Sequence, residues 1–354
     1  MAGFVEFSVY LSCLVFLIHF YYIFLIAIGF FGHILLFLCV PSILFGVIYK
    51  YRIPRPANSG VISIFGDAWG AYKSLPDDLL GKGDYEMKIV GHRACGLDAP
   101  ENSLSSLKKV AKEGMKAVEF DVLLTSDNIA IVFHDHSLIR MTNCDKLVEK
   151  TEYEEIQKLD ISVNHPFSKN FPKEKIPTID EFIKYCIDNN IRMFIDLKSN
   201  SKSIKDKIIE LYKCHPRLYE LAVVSTFNPI LIYKIRSEDP KIACSLAWRP
   251  YYYSHEEFNG ELGPTNPRTT SLFYLIFLRI LNYVHEWVLW KFGYYILGLS
   301  ALLLHKDMIT WDVIRYWTKR GVRVIAWTVN LPTEKQYFEK IFKITYLTDT
   351  LINS

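Results

Sequence analysis

From Lys88 onward the chain alternates short apolar runs with longer amphipathic stretches, and this alternation limits the available folds more than any other feature. Strand-like runs recur at "KIVGH", "AVEFDVLL", "RMFIDLK", "LAVVSTF", "KIACSLAW", "LSALLLH", "VRVIAWTV" and "ITYLTD". Helix-like stretches at 102–114, 178–190, 203–214, 228–238, 310–320 and 332–341 separate most of them. Two helix starts are signalled: Asn102 ahead of "SLSSLKKVAKEG", with Gly114 as terminator, and Pro177-Thr178 ahead of "IDEFIKYC". Strands joined through helices run parallel, and eight of them predict an α/β fold closed as a (β/α)8 TIM barrel; a doubly wound open sheet is the alternative.

Two features disturb a regular barrel. After the fifth strand, residues 249–298 are too long for an ordinary loop. The apolar part of that insertion, Leu272 to Leu297, is interrupted by Arg279, His285, Glu286 and Lys291, which disfavours a free transmembrane helix. An interfacial helix or helix pair is expected instead, with Trp287, Trp290, Tyr294 and Tyr295 at headgroup depth; a helical cap packed on the barrel is the other reading. At the other end only "TLINS" follows the last strand, so the region before the barrel is expected to cover the flank that a final outer helix would occupy.

The first fifty residues differ in kind. Between Phe4 and Tyr49 the one formally charged side chain is Glu6, and such a segment would extend about 69 Å as a helix. A bilayer core is about 30 Å thick, so one span does not use it up. "IGFFGHI" offers a turn, and residues 1–50 are read as a transmembrane hairpin of helices at roughly 4–27 and 30–48; a single tilted span or a re-entrant piece is the runner-up. No Lys or Arg precedes the apolar stretch, which argues against a cleaved signal peptide. Residues 51–87 read as a Pro/Gly-rich linker with short helices, and 88–354 as the barrel. These features predict an integral membrane protein of the plasma membrane or endomembranes. Lys50, Arg52 and Arg55 lean the barrel toward the cytosolic side, and no Asn-x-Ser/Thr sequon opposes that. With 41 basic against 38 acidic side chains, the charge is too balanced for a nucleic-acid binder. The seven cysteines include no CxxC pair, which excludes a disulfide framework and a structural zinc site.

Chemistry concentrates at the C-terminal ends of the predicted strands, the rim where barrels of this kind keep their active sites. Strand alternation puts Glu119 and Asp121 on one face of "AVEFDVLL", and aligns Asp196 with Lys198 in "RMFIDLK". Three carboxylates converging there would repel one another unless a cation lies between them. An all-oxygen ligand set points to magnesium or calcium rather than zinc or copper. His92 and Arg93 close the first strand, and His134 closes a hairpin strand.

In this setting "GHRACGLDAPENS", "VEFDV", "VFHDHSLIRMTN", "IPTIDEFI", "DLK", "WTVN" and "LTDT" resemble, in order and spacing, the glycerophosphodiester phosphodiesterase family over about residues 88–351. Within that family the chain is similar to the membrane-bound, glycerophosphoinositol phosphodiesterase-like branch. The resemblance implies a phosphoric diester hydrolase in which Glu119, Asp121 and Asp196 hold one divalent cation, Mg2+ or Ca2+. It further implies that His92 and His134 are the acid/base pair and that Arg93 and Lys198 contact phosphate. Glu101 is then a further site residue, and Trp327 a wall of the pocket. Three positions depart from the family's pattern: Asp196 stands where Glu is usual, Ala94 where Gly is usual, and Ser103 where Thr is usual. His136, His255, His285 and His305 are read as structural or solvated.

The expected reaction is hydrolysis of a glycerophosphodiester, such as glycerophosphoinositol, to sn-glycerol 3-phosphate and an alcohol at a bilayer. A lysophospholipase D acting on lysophospholipids or N-acyl lysophospholipids is the alternative. A non-catalytic membrane adaptor is the reading from another class, and the filled set of site residues argues against it.

Overall fold

The computed structural model describes residues 45–66 and 87–351, together with 15–21, 24, 39, 42 and 43. The chain divides into two compact units, Met1–Arg52 and Ile53–Ser354. In the first, residues 15–21 and 45–51 are helical, with Phe16, Phe20 and Phe45 exposed. The turn expected at Gly29–His33 lies outside the described residues, as do Cys13 and residues 67–86. The remaining six cysteines are free thiols.

The second unit is the barrel. Its strands are β1 (Ile89–Gly91), β2 (Ala117–Leu124), β4 (Arg192–Leu197), β5 (Ala222–Thr226), β6 (Cys244–Trp248), β9 (Ala301–His305), β10 (Arg323–Trp327) and β11 (Tyr346–Thr348). Each pairs in parallel with its neighbours, and β1 joins both β11 and β2, so the sheet closes and the open-sheet alternative falls. β3 (Ala130–Val132) adds to β2 in antiparallel fashion, and β7 (His255–Asn259) pairs with β8 (Gly263–Pro267) as a hairpin inside the long insertion.

β2 is buried along its whole length because both faces are covered. Val118, Phe120 and Val122 pack outward against the helix layer, which includes Phe182 and Ile183 of α3 (Ile179–Asp188), Ile204 of α4 (Lys202–Cys214) and Leu231 of α5 (Pro229–Glu238). Ala117 faces the interior with Phe194, Val223, Ala243, Ala301 and Ile325. That interior is open at the N-terminal ends of the strands unless something fills it. The filler is α1 (Asn58–Phe65), whose Ile64 and Phe65 are fully buried in the same cluster. Phe65 meets the Phe194 ring edge-on at 6.0 Å. Arg192 and Arg323, at the start of their strands, donate to the carbonyls of Ser63 and Gly66. The segment expected over a flank thus closes the barrel's end instead, because that is where uncovered apolar surface remains.

The helix signals sort themselves by side-chain chemistry. Thr178 caps α3 through a capping box with Glu181, as the Pro177-Thr178 boundary predicts. Ser103, not Asn102, caps α2 (Leu104–Lys112), in a box with Ser106. Asn102 adopts φ +57° and turns its amide to Asp121. The buried Asp121 carboxylate has taken the side chain that local propensity would give to the helix.

The insertion's apolar stretch forms one uninterrupted helix, α6 (Leu272–Val288), continuing through a π-helical turn at Leu289–Gly293 to Leu297. Among the described residues it is the one helix long and apolar enough to cross a membrane. Its C-terminal half is nevertheless held to the rest of the barrel unit. Asn282 bonds Ser254 and the Tyr253 amide, the Trp290 carbonyl accepts from Tyr316, and the carbonyls of Leu297 and Gly298 accept from the buried Arg236. Its other face is bare: Phe273, Ile276, Phe277, Ile280, Tyr283, Val284 and Trp287 recur at helical spacing and are all exposed. Truncating the plug at the other end of the barrel by Phe65→Ala is expected to cost about 3–5 kcal/mol, read as a lower midpoint in urea unfolding.

Candidate active site

At the opposite mouth of the barrel, adjacent strands bring the acids together. β2 and β4 pair in register with Asp121 directly beside Asp196, so both carboxylates leave the sheet at one height. Each of Glu119, Asp121 and Asp196 offers an oxygen within 4.8 Å of the others, and all three are buried. That register brings the short Asp196 side chain to the cluster. Lys198 donates to Asp196 at 2.6 Å and lies 3.0 Å from Asp121, a partial counter-charge. The main-chain N–H of Arg93 donates to Glu119 at 2.9 Å, and the Asn102 amide to Asp121 at 2.9 Å.

The electrostatics follow from burial without full compensation. Burial and the neighbouring Asp121 push the Glu119 carboxyl up to about 8. Burial opposes charge on Asp121 as well, yet Lys198, His134 and Arg93 hold its carboxyl well below the usual range. Asp196 Oδ1 is buried with no hydrogen-bond partner. An all-oxygen set, a Glu119 carboxyl whose charge burial and the neighbouring acids oppose, and a carboxylate oxygen without a partner among the described residues together fit a hard divalent cation.

The two histidines flank this cluster on the wall of one cavity of about 510 Å³. His92 Nδ1 lies 2.6 Å from Asp349 Oδ1, and its Nε2 lies 3.8 Å from Glu119. Burial opposes charge on this ring, but Glu119 and Asp349 outweigh it and raise its pKa. His134 is placed by the Phe133 N–H, which donates to the Asp121 carbonyl, and its Nδ1 lies 2.7 Å from Asp135 Oδ1. Glu101, Arg93, Lys198 and Trp327 line the same cavity, so every candidate site residue except the more deeply set Asp121 borders it. Glu101 is clamped by Arg93 and Arg140, and a side chain at Gly96 would meet its Cβ at 2.7 Å. Ala94 sits between Arg93 and Cys95 with φ +57°. There Gly would be free of cost, whereas a Cβ costs about 1–2 kcal/mol; the substitution that looks small in sequence falls on a left-handed residue.

His136 is exposed, while His255, His285 and His305 pack against Tyr251, Tyr253 and Trp327. Sequence reasoning passed over Asp349, Asp135, Arg140, Arg249, Phe227 and Tyr252. The signal for Asp349 was available, since it ends the last strand at the same rim as the other acids. Phe227 and Arg249 likewise directly follow β5 and β6 at that rim, and Asp135 adjoins His134, whereas Arg140 and Tyr252 depend on loops whose course no strand pattern predicts.

A family model described as the glycerophosphoryl diester phosphodiesterase family matches residues 92–351. The chain belongs to this family. It is 34% identical over 266 residues to glycerophosphodiester phosphodiesterase 1 of Bos taurus, covering 75% of this chain and 78% of that protein. The Homo sapiens protein of the same name is 32% identical with the same coverage. Among solved structures, an Oleispira antarctica phosphodiesterase in complex with sn-glycerol-3-phosphate superposes with a TM-score of 0.55 at 22% identity, over 74% of this chain and 92% of that one. An Agrobacterium tumefaciens glycerophosphodiester phosphodiesterase gives 0.55 at 17%, over 74% and 96%. These two likenesses show the barrel fold. As a family member the chain is a phosphoric diester hydrolase, a glycerophosphodiester phosphodiesterase.

Excess magnesium or calcium should stabilise the wild-type protein by about 2.7 kcal/mol at a hundredfold excess over Kd, read as a higher thermal midpoint. Asp121→Asn is expected to abolish that rise, as measured by scanning calorimetry with and without each cation.

Proposed function

We propose that the protein hydrolyses glycerophosphodiesters of the glycerophosphoinositol type to sn-glycerol 3-phosphate and a free alcohol at a membrane, with one divalent cation held by Glu119, Asp121 and Asp196. The observation that carries this reading is the convergence of two carboxylate-oriented imidazoles and a buried three-acid cluster on one cavity. When bound, a cation at the cluster supplies positive charge to the phosphoryl oxygens and lowers the cost of charge developing there.

The chain's own residues account for orientation and proton movement. Asp349 and Asp135 each engage an Nδ1, leaving Nε2 of His92 and of His134 as the atoms that exchange protons with substrate. One ring takes a proton from the attacking water and the other gives one to the departing alkoxide, so that water adds across the P–O bond. Arg93 and Lys198 bring positive charge to the phosphodiester while they order the acids beside it. Phe227, Tyr252 and Trp327 wall the cavity away from the acids and exclude water from the bound ester.

The membrane setting is supported by the apolar sequence of residues 1–50 and by the bare stripe on α6. We read the first as the anchor and the second as a face lying in the headgroup region, since α6 and its continuation are held to the barrel unit at Asn282, Trp290 and Leu297 rather than free to cross. Lys50, Arg52 and Arg55 support a cytosolic barrel. The same stripe supports a second reading, a lysophospholipase D that draws its substrate from the bilayer.

Purified protein supplied with magnesium or calcium is expected to release glycerol 3-phosphate from glycerophosphoinositol; absence of turnover of any glycerophosphodiester with either ion would refute the assignment. His92→Ala and His134→Ala should each lower kcat by about 10²–10⁴-fold, the range of general acid–base catalysis. Replacing Phe273, Phe277 and Ile280 with Ser separates the two substrate readings. Equal rates on soluble diesters with a selective loss on lysophospholipid vesicles would favour the lipase.

A further inference from the structure

Arg249, the first residue of the insertion, lines the substrate cavity from the side of Phe227 and Tyr252. It is about nine-tenths buried, at 7% exposure. Its Nη1 donates to the Pro250 carbonyl at 3.2 Å, and its Nη2 to the carbonyls of His255 and Glu256 at 2.8 and 2.6 Å. Carbonyls satisfy the donors of a guanidinium without cancelling its charge. The nearby acid Glu257 stands on the exposed hairpin and accepts from Thr265. The guanidinium therefore brings a buried positive charge, with no carboxylate bonded to it, to the cavity wall.

The aromatic wall beside it is already committed. Tyr252 stacks flat on Phe227, with centroids 4.5 Å apart and planes 6° apart. The Tyr252 ring also faces Arg249 at 5.6 Å and Arg268 at 6.0 Å. Aromatic walls of this kind receive quaternary ammonium groups elsewhere; here two arginines hold that role and would repel one. Arg93 and Lys198 already face the phosphodiester's own charge from the acid side of the cavity, and the glycerol arm is uncharged, so a second anion to answer Arg249 comes only from the alcohol arm.

We propose that Arg249, supported by Tyr252 and Arg268, forms a subsite that ranks glycerophosphodiesters by the charge of the departing alcohol: an anionic alcohol first, a neutral one such as inositol next, and a quaternary ammonium last. The proposal rests on the hydrolytic reading above. It makes the insertion a specificity element as well as a membrane-facing one.

The test compares kcat/KM for three esters of glycerol 3-phosphate of similar size, with glycolate, glycerol and choline as the alcohol. Ratios within one protein preparation are independent of the amount of folded enzyme. The wild type should prefer the glycolate over the choline ester by about tenfold or more, the scale of one close charge pair. Arg249→Gln should collapse that ratio, and Arg249→Lys should keep its direction. If Arg249→Gln does not fold, Arg268→Gln takes its place, because Arg249 keeps its carbonyl fork in that variant. A ratio reduced about threefold is expected there from the more exposed charge, and an unchanged ratio overturns the proposal. Equal wild-type rates on the choline and glycolate esters also overturn it, as does a uniform loss on all three esters in Arg249→Gln, which would make Arg249 a structural staple. Failure of the wild type to turn over any of the three would overturn the hydrolytic reading and this subsite together, whereas turnover without discrimination removes the subsite alone.

Discussion

Three carboxylates sit at the same mouth of the barrel because β2 and β4 are neighbours in register, and the rest of the site is arranged around the cost of that proximity. Glu119, Asp121 and Asp196 are too close and too buried to ionise together unaided. The protein supplies partial relief in distinct ways. Lys198 bridges two of the acids, a main-chain amide meets Glu119, and Asn102 is withdrawn from helix capping to meet Asp121. What remains uncompensated, including a buried carboxylate oxygen with no partner, is charge and space suited to a doubly positive ion. Such partly satisfied clusters are costly for stability, and they are the places where binding free energy can be realised.

The histidines show the same logic at one remove. Each ring is oriented by a carboxylate on its Nδ1, and each of those carboxylates is itself held: Asp349 by Asn330, and Asp135 by Arg140. Arg140 also grips Glu101, which grips Arg93, so a chain of ion pairs links the loop after β3 to the loop after β1 across the mouth. A geometry maintained by several interlocking charges tolerates little drift, as the acid/base roles proposed for the two rings would require. Left-handed residues at Arg93, Ala94 and Cys95 tighten the turn that aims His92.

The two ends of the barrel have opposite economies. The N-terminal end is closed by α1 with Phe65 against Phe194, an apolar seal backed by arginines on main-chain carbonyls. The C-terminal end is left open, polar and lined by loops. The long insertion after β6 belongs to both the interior and the surface of the molecule: Arg249 and Tyr252 reach the cavity, while α6 presents an apolar stripe outward. One insertion thus carries both a wall of the cavity and an exposed apolar stripe.

Much of this was legible in the sequence. Alternating apolar runs set the eight strands, because a strand buried on both faces must be apolar throughout, and the exceptions Glu119, Asp121 and Asp196 stood out against that background. Period-two alternation alone put Glu119 and Asp121 on one face, and the strand-end positions of His92 and His134 directed them to the rim. Closure of the sheet, the Asp121–Asp196 register, the partners Asp349, Asp135 and Arg140, and the entry of Arg249 into the cavity were decided by tertiary structure. These join residues up to 257 positions apart, such as His92 and Asp349. Local sequence determines which way a side chain faces along its own strand; which distant side chain it meets depends on pairing and packing that only the closed barrel sets.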